Sequence, residues 1–90
     1  MRLEDALFYW LQIKLVAEGR PDDDAALRTL AFFEDILRED HGLDQVAVSS
    51  VDSARIEVTY EKEGKPYSQH YPRELGEALL QDIISNPKYN

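Results

Sequence analysis

The polar side chains best suited to chemistry in this sequence are His70 and Glu57, which fall on neighbouring predicted strands. A histidine beside a carboxylate is the pairing that general acid–base catalysis uses. Both residues, however, fall on the polar face of the predicted sheet, and an open sheet face does not exclude water. We therefore expect an exposed cross-strand pair worth about a few tenths of a kcal/mol, with no catalytic role.

The remaining polar groups fit structural roles. Asp22-Asp23-Asp24 lacks the glycine and glutamate spacing of a calcium loop, and we expect Asp22 to cap the helix that follows. His41 suits the negative end of that helix. No His-x-x-x-His spacing or Gly-x-Ser-x-Gly elbow occurs, the four glycines stand alone, and there is no cysteine. The sequence predicts a protein that is not an enzyme and needs no metal or cofactor.

Three consecutive aromatic residues, Phe8, Tyr9 and Trp10, indicate binding. Neighbouring helix positions point 100° apart, so three large rings in a row cannot all enter one core. Of the fifteen residues from Leu3 to Ala17, eleven are apolar or aromatic, which leaves a narrow polar strip. Aromatic side chains are enriched at interface hot spots. We predict a partner-binding surface with six candidate residues: Phe8, Tyr9, Trp10, Ile13, Phe32 and Ile36.

Several interpretations of the apolar surface stay open. The first helix either associates with a second copy or another protein, or is a central core helix that its own chain wraps. The first alternative predicts a homodimer through helix 1. The strand Val46–Ser50 could instead pair at its free edge with a second chain. A different class of function, a small-ligand site or minor enzyme, would use the Tyr67–Tyr71 strand and His70.

The elements that position these residues follow from periodicity and end signals. Helix 1 runs from about Leu3 to Glu18 and ends at Gly19 and Pro21. Helix 2 follows the aspartates, carries a core stripe that ends at Leu37, and stops at His41-Gly42. The short connection predicts an antiparallel helical hairpin. Two ion pairs of i,i+4 spacing are expected on helix 2: Asp24–Arg28 and Glu34–Arg38.

Three strands and a third helix complete the chain. Arg55 to Lys62 alternates apolar and polar residues, and a two-residue turn at Glu63-Gly64 pairs Tyr60 with Tyr67. Helix 3 begins at Pro72 and stops before Asn86-Pro87. The sequence predicts one domain over residues 1–90. Its class is a two-layer α+β fold of order ααβββα, with a three-stranded antiparallel meander and helices packed on one face.

The charge balance limits the partners. Eighteen acids against ten bases give a net charge of −8, which repels phosphate backbones and anionic lipid. The negative charge also allows an alternative function, in which the protein imitates nucleic acid to block a basic partner. Arginines interrupt the acidic residues, which argues against this alternative. The longest apolar run, Ala6–Leu11, is far short of a membrane span, and the N-terminus lacks the features of a secretory signal. We expect a cytoplasmic protein that binds protein and neither nucleic acid nor membrane.

Overall fold

The computed structural model describes residues 1–85 and has the predicted α+β architecture. Three helices and a three-stranded antiparallel sheet follow one another in the order ααβββα. Their bounds are α1 (Leu3–Gly19), α2 (Asp24–Glu39), β1 (Leu43–Val51), β2 (Arg55–Lys62), β3 (Lys65–Pro72) and α3 (Arg73–Ser85). The predicted stop signal at Asn86-Pro87 lies outside the described residues.

The first two helices form the expected antiparallel pair. Val16, near the end of α1, shares an apolar cluster with Ala26 at the start of α2, and the ring of Tyr9 lies 5.9 Å from that of Phe33. The cap of α2 differs from the prediction by one residue. Asp23, rather than Asp22, accepts a hydrogen bond of 3.0 Å from the N–H of Ala26. This carboxylate oxygen satisfies one of the four N–H donors that every helix start leaves unpaired, while the other oxygen pairs with Arg20 at 3.3 Å.

The sheet has the strand order β1-β2-β3, and the hairpin register is the one predicted from the alternating pattern. Tyr60 pairs with Tyr67 and Ile56 with Tyr71. Glu63 and Gly64 both have positive φ, 54° and 78°, as a two-residue type I′ turn requires. The turn fixes the register, and the register directs the apolar side chains of β2 toward the helices.

Strand β1 is longer and less regular than the sequence predicted. It begins at Leu43, separated by three residues from the end of α2 at Glu39, whereas the alternating pattern suggested Val46. Its pairing with β2 shifts between Asp44 and Ala47 and again between Val48 and Ser50. The first shift contains Gln45 at a φ of 56°. These bulges hide the start of the strand from a strict period-2 search.

The connection between β1 and β2 is held by one aspartate. The carboxylate of Asp52 accepts hydrogen bonds from the N–H groups of Ala54 at 2.8 Å and Arg55 at 2.7 Å. These two bonds favour the charged form and lower the pKa of Asp52 below its ordinary value. Arg73, at the start of α3, donates to the carbonyl of Asp52 at 3.1 Å and so ties this turn to the third helix.

The core lies between the helices and one face of the sheet, and α1 is its central element. α2 packs along one side of α1 and α3 along the other. The principal core cluster joins the N-terminal half of α1 to α2 and the sheet; its buried members are Ala6, Leu7, Trp10, Leu11, Leu37, Leu43, Ile56, Val58 and Tyr60. A polypeptide of this size can thus cover an unusually apolar helix by itself.

Helix α3 closes over α1 by means of a glycine. A Cβ atom built on Gly76 would lie 2.9 Å from Cδ1 of Ile56 and 3.3 Å from Cδ2 of Leu11. The backbone of α3 therefore approaches the core more closely than any larger residue would allow. The helix begins at Arg73, while Pro72 still belongs to β3.

Candidate protein-binding surface

The six candidate residues divide into a buried and an accessible group. Trp10 is 1% exposed and Ile13 is 8% exposed, so neither is available to a partner. α2, α3 and the sheet cover most of α1, and these two side chains belong to the core of the chain. Tyr9 and Phe32 are exposed by 45% and 58%, while Phe8 and Ile36 are half-buried.

The accessible aromatic residues form a continuous line of rings that we call the aromatic row. From Tyr71 the ring centroids are separated by 5.6 Å to Phe8 and by a further 6.2 Å to Tyr9. From Tyr9 the line continues 5.9 Å to Phe33 and 5.3 Å to Phe32. All four distances lie in the range of favourable aromatic pairs. The aromatic row joins β3, α1 and α2, with its most exposed ring at the α2 end.

The solvent-facing side of α2 carries a second apolar line beside the one that enters the core. This line, the outer seam, consists of Ala25, Thr29, Phe32 and Ile36, each of which precedes a residue of the core-facing line by one position. Three of the four residues are exposed and Ile36 is half-buried. Sequence reasoning named Phe32 and Ile36 but missed Thr29, although the spacing of four, three and four residues contained the signal.

The ion pairs on α2 differ from those predicted by i,i+4 spacing. Arg38 pairs with Asp35 instead of Glu34, and the Glu34 carboxylate accepts a hydrogen bond of 3.4 Å from the indole of Trp10. Arg28 forms no ion pair with a carboxylate among residues 1–85. An exposed arginine and an exposed apolar line thus lie next to each other on this helix.

A second accessible region lies near the turn end of the β2–β3 hairpin. A depression of about 420 Å³ is lined by Gln45, Thr59, Tyr60, Glu61, Pro66, Tyr67 and Ser68. The rings of Tyr60 and Tyr67 stack with centroids 5.5 Å apart, and Tyr67 is 46% exposed. The volume lies within the range of small-molecule sites. His70, which the sequence associated with this strand, is not part of the lining.

Two buried or half-buried tyrosines have altered acidity. Burial, with smaller effects from the neighbouring Tyr60 and Glu4, raises the pKa of Tyr71 to about 12. Burial also raises the pKa of Tyr60, helped by Tyr67 and Glu4. In both cases the low-polarity surroundings disfavour a phenolate. Neither hydroxyl is therefore prepared to act as a base near neutral pH.

The predicted pair of His70 and Glu57 is present and extends to a third strand. Nε2 of His70 lies 3.2 Å from one carboxylate oxygen of Glu57, and the hydroxyl of Ser49 donates to the other at 2.7 Å. A nucleophilic serine needs the imidazole as its base, whereas here the carboxylate separates the two groups. This arrangement links three strands on an open face and does not activate the serine.

The two sheet edges differ in their protection. A two-residue turn makes Lys62 and Lys65 a hydrogen-bonded pair, so alternate β3 residues, including Pro66 and Pro72, point their backbone nitrogen outward. Proline has no N–H to offer there, which blocks much of this edge. The β1 edge lacks proline, but its two bulges interrupt the straight ladder that a second strand needs. Edge pairing through β1 is therefore less suited to association than the helical surface.

Comparisons with protein family models, curated proteins and solved structures find no match for this chain. Among residues 1–85, no three His, Cys, Asp or Glu side chains are grouped so as to hold a metal ion. No helix in the described part of the chain has the length and apolar character needed to cross a membrane. A proposed function therefore rests on the side chains that are accessible at the surface.

Proposed function

We propose that this protein is a non-enzymatic protein-binding module whose docking surface is the aromatic row together with the outer seam of α2. The observation that carries the proposal is the accessibility of Tyr9 and Phe32 at the two ends of a continuous ring contact through Phe33. Apolar side chains that sit together in water mark interaction sites, whereas isolated ones do not. A second copy of the chain is the simplest partner.

The proposed surface extends beyond α1, the helix predicted from the sequence. α1 contributes the exposed Tyr9 and the half-buried Phe8. The larger contribution comes from α2, whose Phe32 ring is more exposed than that of Tyr9. Aromatic residues of this kind act as anchors because a rigid ring buries a large area at small entropic cost.

Sedimentation velocity over the micromolar range tests the proposal. We expect wild type to associate, and Phe32→Ser and Tyr9→Ser to weaken association by at least roughly tenfold, because each buried ring contributes about 1.5–3 kcal/mol. Ile84→Ser on α3 is the matched control, since Ile84 is 59% exposed and lies outside the aromatic row. The emission of buried Trp10 verifies that each variant is folded.

The proposal fails if wild type sediments as a monomer throughout this range. It also fails if Phe32→Ser and Ile84→Ser affect association equally, because general surface hydrophobicity would then explain the result. Equal effects of the two variants cannot be attributed to unfolding, since the substituted side chains are exposed in the folded chain.

A small-ligand site at the hairpin depression is the second candidate function. The supporting observation is the exposed face of Tyr67, which continues the stack begun by buried Tyr60. Thermal-shift measurements with a library of small aromatic compounds test it. A compound that stabilises wild type but not Tyr67→Ala supports the site, and a library that stabilises both proteins equally or neither argues against it.

A further inference from the structure

The outer seam has the residue spacing of a helix that packs against another helix. Ala25, Thr29, Phe32 and Ile36 occupy positions equivalent to a and d of a coiled coil. The one polar member, Thr29, already donates its hydroxyl to the carbonyl of Ala25 at 2.9 Å. Covering this side chain therefore leaves no hydrogen bond unsatisfied. A helix can lie along the whole seam without meeting an uncompensated polar group.

The side chains of two outer seams complement one another in size when the two helices pack antiparallel. An antiparallel second copy places Ala25 opposite Ile36 and Thr29 opposite Phe32, and symmetry repeats both layers. Each layer then joins a small side chain to a large one. A parallel copy would place Phe32 on Phe32 and Ala25 on Ala25, which combines crowding in one layer with a gap in another.

The charges beside the seam are complementary in the same sense. Arg28 and Asp35 are exposed, seven residues apart, on the flank of the seam that faces away from α1. In antiparallel helix pairs this flank meets the same flank of the partner, so Arg28 of one copy lies against Asp35 of the other. In a parallel pair Arg28 would meet the opposite flank, which carries Ala26 and Phe33 and no charge.

We propose that two copies of this protein form a symmetric dimer in which the outer seams of their α2 helices pack antiparallel, with Arg28 of each against Asp35 of the other. The inference rests on the proposed protein-binding function and specifies its partner and geometry. The twofold axis passes midway between Thr29 and Phe32. Tyr9, which contacts Phe33, lies at the rim of the interface and extends it onto α1.

Charge reversal tests the pairing. Sedimentation should show that Arg28→Glu and Asp35→Arg each self-associate at least roughly tenfold more weakly than wild type, because each replaces two attractive contacts by repulsive ones. An equimolar mixture of the two variants should regain a dimer, since both contacts then join opposite charges. Lys65→Glu, the same charge reversal on exposed β3, should associate like wild type apart from the change in net charge.

Cysteine cross-linking tests the orientation, and the absence of native cysteine makes it specific. We expect Ala25→Cys and Ile36→Cys chains to form a disulfide with each other in a mixture under mild oxidation. Neither variant should cross-link efficiently alone. Two copies of residue 25 in the antiparallel dimer are about 16 Å apart along the helix axes, too far for a disulfide.

Separate outcomes overturn the geometry and the proposed function. Efficient cross-linking of Ala25→Cys with itself would establish a parallel pair and refute this inference. The inference would also be refuted if wild type dimerises and Phe32→Ser stays monomeric, but an equimolar mixture of Arg28→Glu and Asp35→Arg forms no dimer. In both cases the protein-binding surface would stand, whereas a monomeric wild type would refute the surface as well.

Discussion

Adjacent residues of this chain have very different surroundings, and Tyr9 and Trp10 illustrate the reason. They are neighbours in sequence, yet one ring is 45% exposed and the other 1% exposed. A turn of 100° between positions carries Trp10 toward the sheet and Tyr9 toward Phe33 and solvent. Sequence reasoning established that the three aromatic residues cannot share one environment, but it could not say which of them faces outward.

At the residue scale, we predict a loss of stability in alkali that depends on Tyr71. The pKa of this hydroxyl is raised from 10.0 to about 12 in the folded chain, so the fold favours the neutral form. The resulting contribution is fully present below about pH 10 and is lost as the pH rises toward 12. Chemical denaturation at several pH values should show Tyr71→Phe losing on the order of 1 kcal/mol less than wild type across this window, since solvent partly screens the half-buried hydroxyl.

Equal alkaline losses for wild type and Tyr71→Phe would contradict this assignment. The control is Tyr9→Phe, which removes the hydroxyl of an exposed ring in the same aromatic row. Both substitutions keep the ring, so the apolar contacts of the aromatic row are retained in the comparison.

At the scale of the elements, the helices differ in how many sides they can cover. α1 is covered on three sides by α2, α3 and the sheet, which explains why its composition leaves so little polar surface. α2 contacts α1 through one apolar line and leaves the outer seam free one position away. The excess of apolar residues therefore has a different consequence in each helix. In α1 these residues are buried within the chain, whereas in α2 some of them stay exposed.

The close approach of α3 predicts that Gly76→Ala destabilises the fold. The new methyl group would lie 2.9 Å from Cδ1 of Ile56, and both that side chain and Leu11 are fully buried. Overpacking of this kind costs about 1–3 kcal/mol, which exceeds the gain of about 1 kcal/mol in helix propensity. Urea denaturation should show a net loss of roughly 1 kcal/mol.

The double variant Gly76→Ala/Ile56→Val identifies the cause. Removal of Cδ1 makes room for the new methyl group, so the double variant should be more stable than the sum of the two single effects predicts. Simple additivity would indicate that steric conflict with Ile56 is not the reason for the loss.

At the scale of the whole molecule, association must overcome a net charge of −8 on each copy. The outer seam supplies apolar area, and Arg28 places a positive charge where the second copy presents Asp35. Local charge complementarity can direct association even where the total charges repel. This argument favours a specific pair over open-ended aggregation, because a twofold contact uses the same surface on both copies and then closes.

The dimer predicts a thermal midpoint that depends on protein concentration. Dissociation accompanies unfolding, so a tenfold increase in concentration should raise the midpoint by roughly 2–4 °C for a chain of this length. Circular dichroism melts over two decades of concentration measure this effect. Phe32→Ser should melt at one temperature throughout, and a wild-type midpoint independent of concentration would contradict self-association.

The element order and the hairpin register follow from the amino-acid sequence alone. Both depend on local signals: alternating residues in Arg55–Lys62, the turn at Glu63-Gly64, and the helix stops around Gly19 and Pro21. Such signals act between residues close in the chain, so they can be recognised without knowledge of the rest. The start of β1 was predicted three residues too late and the cap of α2 one residue too early, because a bulge and a choice among three aspartates are decided by contacts.

Which apolar side chains are covered depends on contacts between elements that are distant in the sequence. Periodicity gives the direction of Trp10, Ile13 or Phe32 around its helix axis, but not whether another element lies in that direction. α3 covers the far side of α1 only because Gly76, sixty-five residues beyond Leu11, lets the two backbones come close. Within residues 1–85 no element covers Phe32 in the same way, and its ring is 58% exposed.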